Sequence, residues 1–186
     1  MPKKSIKNLK NSDYPNFIIL DSSILLSLHP KFRKTDQKHI NTFLKKVHNL
    51  SYNNGLIAVA PTIVFEECYF KIIQSYIKSK KSPLGIVRWH EKYKNNPGII
   101  NGCKQEIEDF FNQLMKIPVI PITINLLHNT TSDINLEIPM RDNIFSYSIL
   151  PKDALIIAIS DYLEIDNIAT LDRDFIRVNH LNVFTV

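Results

Sequence analysis

The chain has no apolar run that approaches the ~20 residues a membrane-spanning helix requires, which excludes a spanning protein of that kind. Cysteine is scarce: Cys68 and Cys103 lack metal-ligand spacing, so a disulfide scaffold is excluded and two reduced cytosolic thiols are expected. The six histidines are not spaced as metal ligands either. The basic N-terminus is followed by no apolar segment, and no secretory signal is expected. Acidic residues are sparse in the first part of the chain. Residues 1–104 hold 6 Asp+Glu against 18 Lys+Arg, a net of +12, whereas residues 105–186 hold 12 against 5, a net of −7. Such asymmetry predicts a basic surface for a polyanion beside an acidic region.

What is present fits one α/β domain of ordinary composition, 44% apolar and 22% charged over 186 residues. Residues 1–16 read as a polar arm or short lead-in. Phe17-Ile18-Ile19-Leu20 suits a buried strand, followed by a short helix from Ser22 or Ser23 that stops at Pro30. Ile40, Phe43, Leu44 and Val47 recur at helical spacing within 35–50. Asn53-Asn54-Gly55 is a turn, and Leu56 to Ala60 is a second buried strand. A helix opened by Pro61 is predicted to run through Glu66, Phe70, Ile73 and Ile77. Residues 83–102 carry no clear assignment. A helix over 105–115 precedes an edge strand at Ile117-Pro118-Val119-Ile120, its edge position suggested by the proline. Residues 123–150 mix helix and loop. Asp153 to Leu163 is the best-patterned helix, with strands following at 167–171 and 182–186. Strands alternating with helices, and apolar without a period of two, predict a mostly parallel sheet covered on both faces: a three-layer α/β/α sandwich.

Four carboxylates stand out: Asp21, Glu66, Asp153 and Asp172. Each follows a short apolar run or opens a helix, where open α/β sheets place their active sites. They converge if their strands are parallel neighbours. Several carboxylates in one cleft repel unless a cation compensates them, and Mg²⁺ or Mn²⁺ prefers such oxygen donors. A metal-bound water could then attack phosphorus. Asp153 also gains ~0.3–1 kcal/mol from the helix macrodipole when ionised. Glu66 and Glu67 lie about 100° apart on a helix, so only one can face the pocket; Glu66 is the better match to the pattern. Asp174 is a further candidate ligand, and Ser23 and Thr170 could hydrogen-bond a carboxylate or bound water. Helix capping and Asx turns are the plain structural readings of these same residues.

The segments Phe17 to Leu26, Pro61 to Glu67, Pro151 to Ala158 and Ala169 to Phe175 resemble, in order and spacing, the four motifs of PIN-domain ribonucleases, and the set is similar to VapC-type toxins. That resemblance covers 17–29, 56–73 and 150–186. It implies a Rossmann-like sandwich over 17–186 with a helical or loop insertion at about 80–145. It also implies Mg²⁺- or Mn²⁺-dependent hydrolysis of RNA, with Asp21, Glu66, Asp153 and Asp172 holding the metal. A toxin or an RNA-processing role would follow, with an antitoxin protein as partner in the toxin case, docked on an apolar groove within residues 40–80. Homodimers are common among such proteins. The alternative is a catalytically weak RNA-binding protein within a larger complex. A haloacid-dehalogenase-type phosphatase is disfavoured, because Ser22-Ser23-Ile24 stands where a second Asp would be needed.

The densest basic stretch comprises Lys78, Lys80, Lys81, Arg88, Lys92 and Lys94, interleaved with Trp89, His90 and Tyr93. Lys80, Lys81, Arg88 and Lys94 are the candidate RNA contacts, with cations for phosphates and aromatic rings for unpaired bases. A solvated loop with Trp89 tucked into the core is the competing reading.

Overall fold

The structure is a computed structural model that describes residues 6–9, 13–33, 37–52, 55–80, 88–123 and 135–186. Lys81, Asn53 and Asn54 of the expected turn, and parts of the arm and of the 123–150 segment, lie outside the described residues.

Its centre is a six-stranded sheet, β1 (Ile6–Asn8), β2 (Phe17–Leu20), β3 (Ile57–Pro61), β4 (Val119–Ile122), β5 (Asn167–Ala169) and β6 (Asn182–Thr185), in the order β1-β6-β5-β2-β3-β4. All five pairings are parallel. The helices are α1 (Ser22–Leu25), α2 (Gln37–Tyr52), α3 (Thr62–Ser79), α4 (Trp89–Asn95), α5 (Lys104–Leu114), α6 (Glu137–Tyr147) and α7 (Pro151–Tyr162). Ile18, Ile19 and Leu20 of β2 and Ala58 through Pro61 of β3 are buried without alternation, the mark of a parallel sheet covered on both faces. The three-layer α/β/α sandwich expected from the sequence is what forms. No helix among the described residues is long and apolar enough to cross a membrane.

The α2 stripe is as its periodicity predicts, with Ile40, Phe43, Leu44 and Val47 buried. Tyr14 closes that core, its ring stacked on Phe184 and tilted against Phe43 at 6.0 and 5.5 Å. β4 is indeed an edge strand; it pairs with β3 alone and accommodates Pro121.

Two sequence expectations change. Residues 6–8, read as part of a polar arm, form the opposite edge strand, in register with Val183 to Thr185 of β6. A three-residue Ile-Lys-Asn segment has no period of its own, and only its distant partner makes it a strand. The unassigned stretch before α5 holds α4 and a 3₁₀ turn, Pro97–Cys103, packed on α3. At Gly102 a Cβ would meet the Tyr76 hydroxyl, so any larger residue there displaces the end of that side chain.

The sheet order puts the crossover where a site belongs. The chain leaves β2 through β3 and β4 on one side, then returns to β5 and β6 on the other. The carboxyl ends of β2 and β5 therefore flank a topological switch point.

Candidate active site

The ladder between β2 and β5 continues one residue beyond the strands, with the Asp21 amide donating to the Ala169 carbonyl at 3.0 Å. Asp21 and Thr170 thus emerge side by side. Asp21 is extended (φ −80°, ψ 160°) and caps α1, which keeps its side chain at the sheet edge. Its Oδ2 accepts hydrogen bonds from Ser23 Oγ at 2.7 Å and Thr170 Oγ1 at 2.8 Å. The same hydroxyls then accept from the next turn, Thr170 Oγ1 from the Asp172 amide and Ser23 Oγ from the Leu171 amide, both at 2.9 Å. Ser23 and Thr170 therefore hold the Asp21 carboxylate in place and tie the two strand ends together.

The second carboxylate comes from α3. Val64, Cys68, Ile72 and Ile77 are its buried residues. Glu67 lies about 60° around the helix from Val64, whereas Glu66 lies about 160° from Cys68, on the far face. Glu66 is accordingly exposed, and the expectation that it faces the pocket is corrected to Glu67. Glu67 Oε2 accepts from Ser22 Oγ and pairs with Lys152 Nζ.

α7 supplies the rest. Pro151 opens it at a position where no backbone donor is lost, setting Lys152 and Asp153 in its first turn. Lys152 Nζ stands 3.4 Å from Asp153 Oδ1 and 3.9 Å from Asp21 Oδ1 while contacting Glu67, so one ammonium serves three carboxylates from three elements. Sequence reasoning gave Lys152 no role. Its one signal was a cation directly before a motif Asp at a helix start.

Asp172 is exposed and caps the 3₁₀ turn Arg173–Arg177 through the Asp174 amide at 2.9 Å; its charge reaches Asp153 through space. Asp174 instead pairs with Arg177 Nη2 at 2.9 Å. Asp21, Asp153 and, from the rim, Asp172 are thus brought together; Glu66 and Asp174 are not.

Burial pushes the Asp153 carboxyl up to about 6; Lys152 opposes this, and the charges of Asp21 and Asp172 reinforce it. For Lys152, burial alone would favour the neutral amine. The carboxylates of Asp21, Glu67 and Asp153 outweigh that, and its pKa is raised. The Cys68 thiol is held well above its ordinary range by burial and then by Asp21 and Glu67, which leaves it no thiolate character.

The oxygen-rich donors suit a hard divalent cation. Asp153 Oδ1 is buried without a hydrogen bond, an acceptor with capacity for a further partner beside the Lys152 ammonium. Among the described residues, no group of three or more His, Cys, Asp or Glu side chains stands in an arrangement that could hold a metal ion as it is. The donor chemistry fits; Lys152 stands among the donors.

The basic stretch lies at the other end of α3, where Lys78 is eleven residues, or about 16 Å, from Glu67. Lys92 Nζ donates to the Lys80 carbonyl at 2.5 Å, closing α4 onto the end of α3. Lys80 Nζ lies 4.2 Å from the centre of the Tyr76 ring. Arg88 and Lys94 are exposed, and half-buried Trp89 packs edge-on against Phe70 at 5.6 Å.

Sheet order and helical layers give a three-layer α/β/α domain of PIN-like fold, with these carboxylates at the carboxyl edge of its sheet. The chain is similar to Ribonuclease VapC6 of Methanocaldococcus jannaschii, 25% identical over 171 residues that cover 91% of this chain and 97% of that protein. Its fold is that of a chain in the crystal structure of VapBC2 from Rickettsia felis bound to a DNA fragment from their promoter. That match has a TM-score of 0.53 at 13% identity and covers 91% of this chain and 98% of the other. No family model matches. The resemblance to VapC-type PIN proteins seen in the four sequence motifs is borne out.

Proposed function

We propose that the chain is an endoribonuclease that hydrolyses RNA phosphodiester bonds, with Mg²⁺ or Mn²⁺ held by Asp21, Glu67 and Asp153 and with Asp172 at the rim. The observation that carries this reading is the meeting of three carboxylates from β2, α3 and α7 at the carboxyl edge of the sheet, one with a buried, unbonded oxygen. Similarity to a ribonuclease over nearly the whole chain supports the substrate class.

A bound divalent ion would supply Lewis acidity and a more acidic water. The protein's own part is chiefly positional. Ser23 and Thr170 fix the Asp21 carboxylate, so its oxygens need no reorientation when the substrate arrives. Asp172, exposed at the rim, would add a fourth carboxylate to the surroundings of the ion. Lys80, Arg88 and Lys94 offer cations to the flanking phosphates.

A toxin role with an antitoxin partner follows from the same similarity. An apolar groove of about 440 Å³, lined by Phe65 and Tyr69 of α3 with Phe111, Met115 and Pro121, would take an apolar helix face of such a partner. The weakly catalytic RNA-binding alternative is favoured by one observation: the carboxylates as they stand do not form a ready metal site.

The test is cleavage of labelled single-stranded RNA with Mn²⁺, Mg²⁺ or EDTA, by the wild type and by Asp21→Asn and Asp153→Asn. Metal-dependent cleavage lost in both variants supports the nuclease. Cleavage that survives either substitution overturns the site, and RNA binding without cleavage in any metal supports the alternative.

A further inference from the structure

Lys152 is the feature of the pocket that the nuclease reading leaves unused, and the inference rests on that reading. Its side chain is one-quarter exposed, and its ammonium is within ion-pair reach of Asp21, Glu67 and Asp153 together. A surface lysine paired with one carboxylate is ordinary; one shared among three, each from a different element, is a counter-ion for a pocket. Carboxylates gathered at one edge repel strongly without compensation. The chain compensates them with a cation of its own, and that cation is on a flexible four-carbon stem able to withdraw.

We infer that Lys152 is a resident counter-ion that a divalent cation must displace, so that it sets the metal affinity of the pocket and keeps the carboxylates together before the metal arrives. Two observations beyond the ion pairs support this. Asp153 Oδ1 has no hydrogen bond even with the ammonium 3.4 Å away, so the lysine neutralises charge without satisfying the acceptor. Ser22 Oγ also holds Glu67, and Ser23 and Thr170 hold Asp21, so two of the three carboxylates keep partners when the lysine leaves. The pocket can therefore exchange one cation for another without collapsing. Lys152 acts through the carboxylates and is a positioning residue.

The experiment is titration of the metal-free protein with Mn²⁺, with free ion counted by electron paramagnetic resonance, for wild type, Lys152→Met, Lys152→Arg and Asp153→Asn. Melting temperatures are recorded with and without Mn²⁺. Lys152→Met removes the competitor and keeps the stem. It should bind Mn²⁺ about tenfold more tightly, the equivalent of one modest charge pair. It should also melt lower than wild type without metal and gain more on adding it. Lys152→Arg should restore wild-type affinity and metal-free stability. An unchanged or weaker Mn²⁺ affinity in folded Lys152→Met overturns the counter-ion role and leaves the metal site standing. Failure of wild type and Lys152→Met alike to bind Mn²⁺, or wild-type binding by Asp153→Asn, removes the metal site itself and this inference with it.

Discussion

Among the described residues, two carboxylate oxygens are buried without a hydrogen bond, Asp153 Oδ1 and Glu106 Oε2, and their surroundings differ in sign. Glu106, in the first turn of α5, faces His29 Nε2 at 3.7 Å and gives its other oxygen to Lys31 Nζ at 2.5 Å. One carboxylate there has two basic neighbours. At the sheet edge the ratio is reversed, with Asp21, Glu67 and Asp153 sharing Lys152. An orphaned oxygen alone is thus no sign of chemistry. A surplus of like charge around it is, because only a further cation can relieve that surplus.

Removing each carboxylate should separate the two regions most sharply. Asp153→Asn is expected to lower RNA cleavage by 10²-fold or more, as loss of a group acting on the reacting centre does. Glu106→Gln should leave the cleavage rate within about threefold, measured on the same labelled RNA. A comparable loss from Glu106→Gln would erase the distinction drawn between the two sites. Next in size is the pair on α3. Glu67→Gln should lose cleavage by roughly tenfold or more, and Glu66→Gln, on the exposed face, should behave as wild type. The reverse ranking would reinstate the sequence expectation.

The sequence preference for Glu66 rests on its match to the motif pattern, which does not weigh helix faces; on its side of α3, Phe70 is 48% exposed. The buried stripe runs through Val64, Cys68 and Ile72, and Cys68 is easily passed over as a thiol instead of counted as core. Asp21, Asp153 and Asp172 were legible because each stands at the end of a strand or in the first turn of a helix, where backbone geometry alone fixes direction. The parallel sheet was legible from apolar runs without alternation. Lys152 and β1 were not. The lysine's meaning lies in Asp21 and Glu67, both distant in sequence, meeting it beside its neighbour Asp153, and β1 is a strand only through β6.

The pinned half of the acid site offers a smaller effect, read in stability. Thr170 is fully buried, and its hydroxyl donates to Asp21 Oδ2 while accepting the Asp172 amide. Thr170→Val keeps the shape, strands the Asp172 amide and leaves Asp21 Oδ2 to Ser23, at a cost of about 1–3 kcal/mol in urea unfolding. Thr170→Ser should recover most of it. A neutral Thr170→Val would mean that Ser23 alone suffices to hold Asp21.

The smallest effect belongs to the Glu106 side of the comparison and depends on pH. His29 is 4% exposed, and its Nδ1 accepts the Lys31 amide at 3.3 Å, which leaves the Nε2 proton facing Glu106. Burial lowers the His29 pKa; Glu106 and Asp109 oppose this, Lys31 adds to it, and the net direction is down. The folded protein therefore resists protonation that the unfolded chain accepts near pH 6.5. His29 contributes stability that is complete above that pH and lost as the pH falls through the lower, folded value. His29→Asn retains a side-chain acceptor for the Lys31 amide and removes the titration. Urea unfolding at pH 7.5 and pH 5 should show wild type losing more stability on acidification than His29→Asn, since the carboxylates common to both proteins cancel in the difference. Equal losses would show that the Glu106 carboxylate compensates the imidazolium fully. The two orphaned oxygens would then differ only in how many anions surround them, and not in whether the cation beside them is welcome.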